Sequence, residues 1–174
     1  MDKHRFPIGT FEWPETISAE QRKKWVATLS SAPSLYREEV EHLTKQQLNT
    51  PYREGGWSIR QVVHHVPDSH LHGYIRFKQA LTEEDPEIKP YDQTTWAELT
   101  DSSEEIEVSL KLLESLHQRW SFLLNGLKED DWRRTFRHPE AGRYTLGEAA
   151  SLYAWHSRHH LAHITSLKER MGWR

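Results

Sequence analysis

The chain contains no cysteine, which excludes disulfides and thiolate metal ligands and leaves His, Asp and Glu as its strong donors. Any metal site must therefore be of the N/O type. A surplus of one charge is missing too. The 23 Lys and Arg stand against 26 Asp and Glu, for a net charge of -3 and a pI near 6.5. The basic residues are scattered, so no field exists to hold phosphate backbones or acidic lipids, and neither nucleic acid nor a membrane is expected as a partner. No run of about eighteen apolar residues occurs, and the stretch MDKHRFPIGTFEWP has no apolar segment of signal-peptide length, so the expected location is cytoplasmic. Alternating strand patterns, internal repeats and low-complexity runs are also lacking.

What the chain does have is enough apolar material for one core and an excess of imidazole. Its 174 residues suit one domain spanning 1–174. A mean hydropathy of -0.85 describes a polar surface, while 8 Trp and a 36% hydrophobic share supply a core. The 12 histidines are the anomaly.

Four long helices are legible. Ser18-Ala-Glu-Gln21 has capping-box form and opens a helix carrying Trp25, Leu29, Tyr36, Val40 and Leu43, which Pro33 is expected to bend. A second capping box, Ser58-Ile-Arg-Gln61, opens a helix to about Thr82. The segment EEDPEIKPYDQTTWAELTDSS has two prolines and little periodicity, which predicts a long crossing connection. From about Ser103, Ile106, Leu110, Leu113, His117, Trp120, Leu124 and Leu127 alternate spacings of four and three and share one stripe. Thr145-Leu-Gly-Glu148 caps a last helix that runs to about Met171 and meets Gly172. The expected fold is all-α, a four-helix bundle with long crossover connections.

The last helix contains LYAWHSRHHLAHI, Leu152 to Ile164, with four histidines. Residues four apart point the same way, so His156 and His160 can share one ion. Ser157 stands where the metalloprotease motif has its glutamate, so this is not a zincin helix. His163 lies about two turns from His156 and His159 at the edge of the stripe, and both read as packing or pocket-lining residues. A third ligand should come from the second helix, where His65, three after Val62, falls on the apolar face and is chosen over His64, His70 and His72. Asp68 is open to three roles: ligand, orienter of a histidine, or base on a metal-bound water. A lone histidine in an apolar stripe, as at His117, is more often a hydrogen-bonded core residue than a ligand.

The segments FPIGTFEWP, TPYREGGWSIRQVVHHVPDSH and LYAWHSRHHLAHI, with Lys89-Pro-Tyr-Asp92 and Trp96 as an RPY-type loop, resemble the YfiT-like branch of the DinB superfamily over nearly the whole chain. The resemblance implies a four-helix bundle with one divalent ion per chain, zinc in the first place or nickel, held by His65, His156 and His160. It also implies a metal-dependent hydrolase of a small-molecule substrate, commonly homodimeric. Relatives that transfer low-molecular-weight thiols such as bacillithiol or mycothiol supply the alternative reading, and a non-catalytic metal-binding stress module a third. In one departure the chain has Val66-Pro67-Asp68-Ser69 where the family's second helix has His-Leu-Ala-Asp-Ser, and a kink at Pro67 is expected. Three imidazoles leave an open position on the metal, so the leading expectation is hydrolysis by a water activated there.

Overall fold

Each capping box does what its spacing predicts. In the computed structural model, which describes residues 2–173, helix α1 (Ala19–Val40) starts at Ser18, α3 (Ile59–Thr82) at Ser58 and α6 (Leu146–Met171) at Thr145. In all three the cap side chain and the Gln or Glu three residues later satisfy each other's backbone N–H groups. A fourth box at Thr44 opens the one-turn helix α2 (Lys45–Leu48). Gly172 closes α6 in the left-handed conformation, φ 65°, that a side chain resists. Helix α5 (Ile106–Asn125) completes the bundle.

Around the bundle, α1 packs on α5 and α6, and α3 packs on the same two helices from the opposite corner. The successive long helices α1 and α3 are therefore diagonal neighbours, which accounts for the crossing connections. The packing also sets α3 beside α6, so an inward histidine on one can meet inward histidines on the other.

Three local readings of the sequence differ from the structure. The 83–103 connection contains a short helix, α4 (Gln93–Trp96), capped by Asp92, and a 3-10 turn at Thr100–Ser103. The polar stretch before α6 forms a hairpin, β1 (Thr135–His138) with β2 (Gly142–Thr145), turning at Gly142 with φ 95°. Four-residue strands are too short to show an alternation, and only Phe136 is buried in the core. Helix α1 ends at Val40 rather than running through Leu43.

Both internal prolines lie within helices assigned without a break. Pro33 has no N–H, so the carbonyl of Leu29 one turn earlier loses its helical donor. That carbonyl accepts instead from Nδ1 of His117 on α5.

The core is divided. One apolar cluster holds Val62, Val66, Leu113 and Ile164, the other Phe77, Trp120, Leu146 and Tyr153. On α3 and α5 the residues between the clusters include His70 and His117, 0% and 1% exposed. A layer of imidazoles separates the two halves of the core. Gly73 lies at this level, and a Cβ there would come within 2.6 Å of the Tyr153 ring and 2.7 Å of Trp120, so only glycine permits the close approach.

Candidate metal centre

The structure brings His65 of α3 together with His156 and His160 of α6: one ring nitrogen from each lies within 4.8 Å of the others. Nε2 of His65 is 3.3 Å from Nε2 of His156. Burial depresses all three pKa values, with the neighbouring rings adding to the effect, and His65 is lowered to about 4. The rings are thus neutral at pH 7, the state in which imidazole binds a metal. Three neutral nitrogens converging in a buried pocket, with no carboxylate and no lysine in the group, fit a borderline divalent ion.

The rings are reached from two sides. A cleft of about 410 Å³ opens beside His156, His159, His160 and His163, with Trp57, Arg5 and Arg53 on its walls. A smaller cavity, about 230 Å³, touches His156 from the side of Ser69, Arg76, Tyr91, His138 and Tyr153. Arg76 donates to the Tyr153 hydroxyl at 3.1 Å and forms no salt bridge with a carboxylate among the described residues. A further cleft, about 530 Å³ between Glu83 to Asp85 and Arg133 to Arg143, is lined by no histidine.

Asp68 is not among the groups that converge on the three rings. Burial first, and then the charge of Asp101, raise its carboxyl to about 6. Its own charge in turn acts on the Tyr91 hydroxyl. His64, passed over in favour of His65, bonds Ser109 at 2.7 Å and the Glu104 carbonyl at 3.0 Å, and His72 donates to the Asp68 carbonyl while stacking on Tyr91.

Sequence reasoning missed the partners of the converging rings. His156 Nδ1 bonds His70 Nε2 at 3.1 Å, and His70 Nδ1 bonds His117 Nε2 at 2.7 Å. His160 Nδ1 lies 3.3 Å from His163 Nδ1, whose Nε2 donates to the Arg5 carbonyl at 3.0 Å. The signal available was the presence of His70 and His117 on inward faces, but spacing within one helix cannot show that two rings on different helices touch.

Residues 28–164 match the model of the DinB superfamily. The chain belongs to that superfamily. The nearer relationship is with YfiT from Bacillus subtilis, whose solved structure superposes with a TM-score of 0.96 at 49% identity over 99% of both chains and is described as a probable metal-dependent hydrolase with an unusual four-helix bundle topology. A protein of Bacillus mycoides is 52% identical over 99% of this chain and 100% of its own length. One from Bacillus anthracis is 50% identical over the same shares, and the names of both place them provisionally as metal-dependent hydrolases. The likeness extends, as fold alone, to a mycothiol-dependent maleylpyruvate isomerase, 16% identical with a TM-score of 0.61 over 79% of this chain and 60% of that one. This DinB-superfamily protein is thus a YfiT-like four-helix bundle, and no helix among its described residues is long and apolar enough to cross a membrane.

Proposed function

We propose that this protein is a cytoplasmic metal-dependent hydrolase of a small-molecule substrate, with one divalent ion, zinc or nickel, held by His65, His156 and His160. The observation that carries the reading is the convergence of three neutral imidazoles, two buried and the third, His156, half-buried and shared by two clefts. When bound by three protein ligands, such an ion supplies Lewis acidity and brings the pKa of water down towards about 7.

The chain's own groups do the rest. The two clefts admit substrate from either side of His156, and the Arg76 guanidinium, with no carboxylate opposite it, can fix an anionic or carbonyl group in the smaller one. Trp57, 4.6 Å from the His65 ring, and Phe6, 6.0 Å from His159, give the larger cleft apolar walls that exclude water. Asp68, with its carboxyl raised to about 6, is mostly ionised at pH 7 yet basic enough to take a proton, which suits a general base. The homodimer implied by the family belongs to the same reading. Val108, Leu112 and Phe122 of α5 are exposed, Phe122 by 85%, and supply apolar surface for it.

The test is turnover of an ester, amide and lactone panel by zinc- or nickel-loaded protein, with His156→Ala as control. Hydrolysis lost in that variant supports the proposal. The fold shared with the mycothiol-dependent isomerase supplies the rival, transfer of a low-molecular-weight thiol. No hydrolysis across the panel, together with a His156-dependent change in the cobalt spectrum on adding a thiol, would reject hydrolysis in its favour.

A further inference from the structure

Two of the three converging imidazoles end chains of hydrogen bonds that begin at a backbone carbonyl, and a carbonyl can only accept. The longer chain starts at Leu29 on α1, whose carbonyl has no helical donor because residue 33 is proline. His117 Nδ1 fills that vacancy and must therefore carry its proton. A neutral ring has one N–H, so His117 Nε2 is a lone pair and accepts from His70 Nδ1 at 2.7 Å. His70 Nε2 is then a lone pair in turn and accepts from His156 Nδ1 at 3.1 Å. The sequence of forced choices ends with a lone pair on His156 Nε2, the atom that faces His65.

The shorter chain repeats the logic. The Arg5 carbonyl requires the proton on His163 Nε2, leaving His163 Nδ1 to accept from His160 Nδ1 and freeing His160 Nε2. His65 is not tied in this way: among the described residues its ring bonds His156 and no carbonyl. With one proton on each neutral ring, no other placement satisfies the His117, His70 and His156 contacts together.

We propose that His70 and His117 are positioning residues: with the Leu29 carbonyl as anchor they hold His156 in the Nδ1–H tautomer, so that Nε2 is offered to a metal before it arrives. The proposal rests on the reading that His156 is a ligand. It extends the usual arrangement, in which a ligating histidine gives its other N–H to a carboxylate or carbonyl, to a relay of two further imidazoles spanning α6, α3, α5 and α1. Rigidity follows from the setting: the relay lies between the two apolar clusters, where the His70 and His117 rings, end to end and 3° from parallel, cannot turn without disturbing Trp120 and Tyr153.

The decisive measurement is the histidine tautomer pattern of the metal-free protein by long-range ¹H–¹⁵N NMR, made on the intact chain at pH 7.5 in a chelator. His117, His70 and His156 are expected in the Nδ1–H form. His156 found as the Nε2–H tautomer overturns the proposal, with no variant needed. The second measurement is zinc affinity by chromophoric-chelator competition. His117→Leu leaves the His70 N–H without an acceptor and is expected to weaken zinc by 10- to 100-fold, whereas His117→Gln keeps an acceptor towards His70 and restores most of the loss. A folded His117→Leu protein that binds zinc as tightly as the parent overturns the proposal as well. A parent that takes up no zinc but shows the predicted tautomers rejects the metal reading of the three rings and leaves the relay standing.

Discussion

Lowering the pH should unfold the metal-free protein well before its carboxylates titrate. His65, His70, His117, His156 and His160 all have pKa values pushed down by burial, His65 and His117 to about 4, against about 6.5 for an unfolded histidine. A depressed basic group binds fewer protons in the folded than in the unfolded state, so its stability contribution is complete above pH 6.5 and is lost as pH falls below it. At pH 5.5 each ring that stays neutral in the fold costs about 1.4 kcal/mol relative to pH 8. Five rings therefore cost roughly 7 kcal/mol, comparable with the roughly 5–15 kcal/mol that holds a typical domain together. Asp68 has the opposite sign, but it is one group against five. The assay is urea unfolding in a chelator between pH 8 and 5, followed by tryptophan fluorescence and far-UV circular dichroism. The slope of stability with pH near 5.5 should report uptake of four to five protons on unfolding. An uptake below two would refute the claim that these rings are neutral and buried.

Other perturbations have definite outcomes. Gly73→Ala pushes a methyl into Tyr153 and Trp120 and should lower stability by about 1–3 kcal/mol in thermal or urea unfolding. Asp68→Asn removes a carboxylate whose raised pKa penalises the folded state as pH rises through about 6, so the variant should be more stable than the parent at pH 7.5, by on the order of 1 kcal/mol, and equal to it at pH 4. If Asp68 is the base, the same variant should lower kcat and lose the acid limb of its pH profile near 6 while zinc affinity is unchanged. Ser58→Ala deletes the cap that starts α3 and should cost about 1 kcal/mol by urea unfolding, with little effect on the His65 ring two turns away.

The parts of this molecule that could be read from its sequence are those encoded over a few residues. Capping boxes at Ser18, Ser58 and Thr145 mark helix starts because the cap and its reciprocal partner are three residues apart. The stripe from Ile106 to Leu124 reads as one buried face for the same local reason. The trio His65, His156 and His160 emerged from helical spacing within two elements, and those rings converge. The hairpin at 135–145 did not emerge, because its strands are held by pairing with each other and by Phe136 packing rather than by a pattern within either. His163 looked remote from the pair when judged by turns of an ideal helix, yet its Nδ1 lies against that of His160, since side chains a turn apart reach towards each other. Above all, the links among His156, His70 and His117 join residues 86 and 47 positions apart, and no local rule carries that information.

Pro33 lies on α1, a helix that carries none of the three converging rings, and by local propensity it is a defect costing about 3 kcal/mol. Viewed as inheritance, it is a remote member of the histidine relay. A lineage that replaced it with any residue bearing an N–H would return to Leu29 its helical donor, and with it would relax the need for imidazole first at 117 and then at 70. Positions 33, 70 and 117, on three different helices, should therefore be kept or lost together among relatives, although none of them is among the three converging rings.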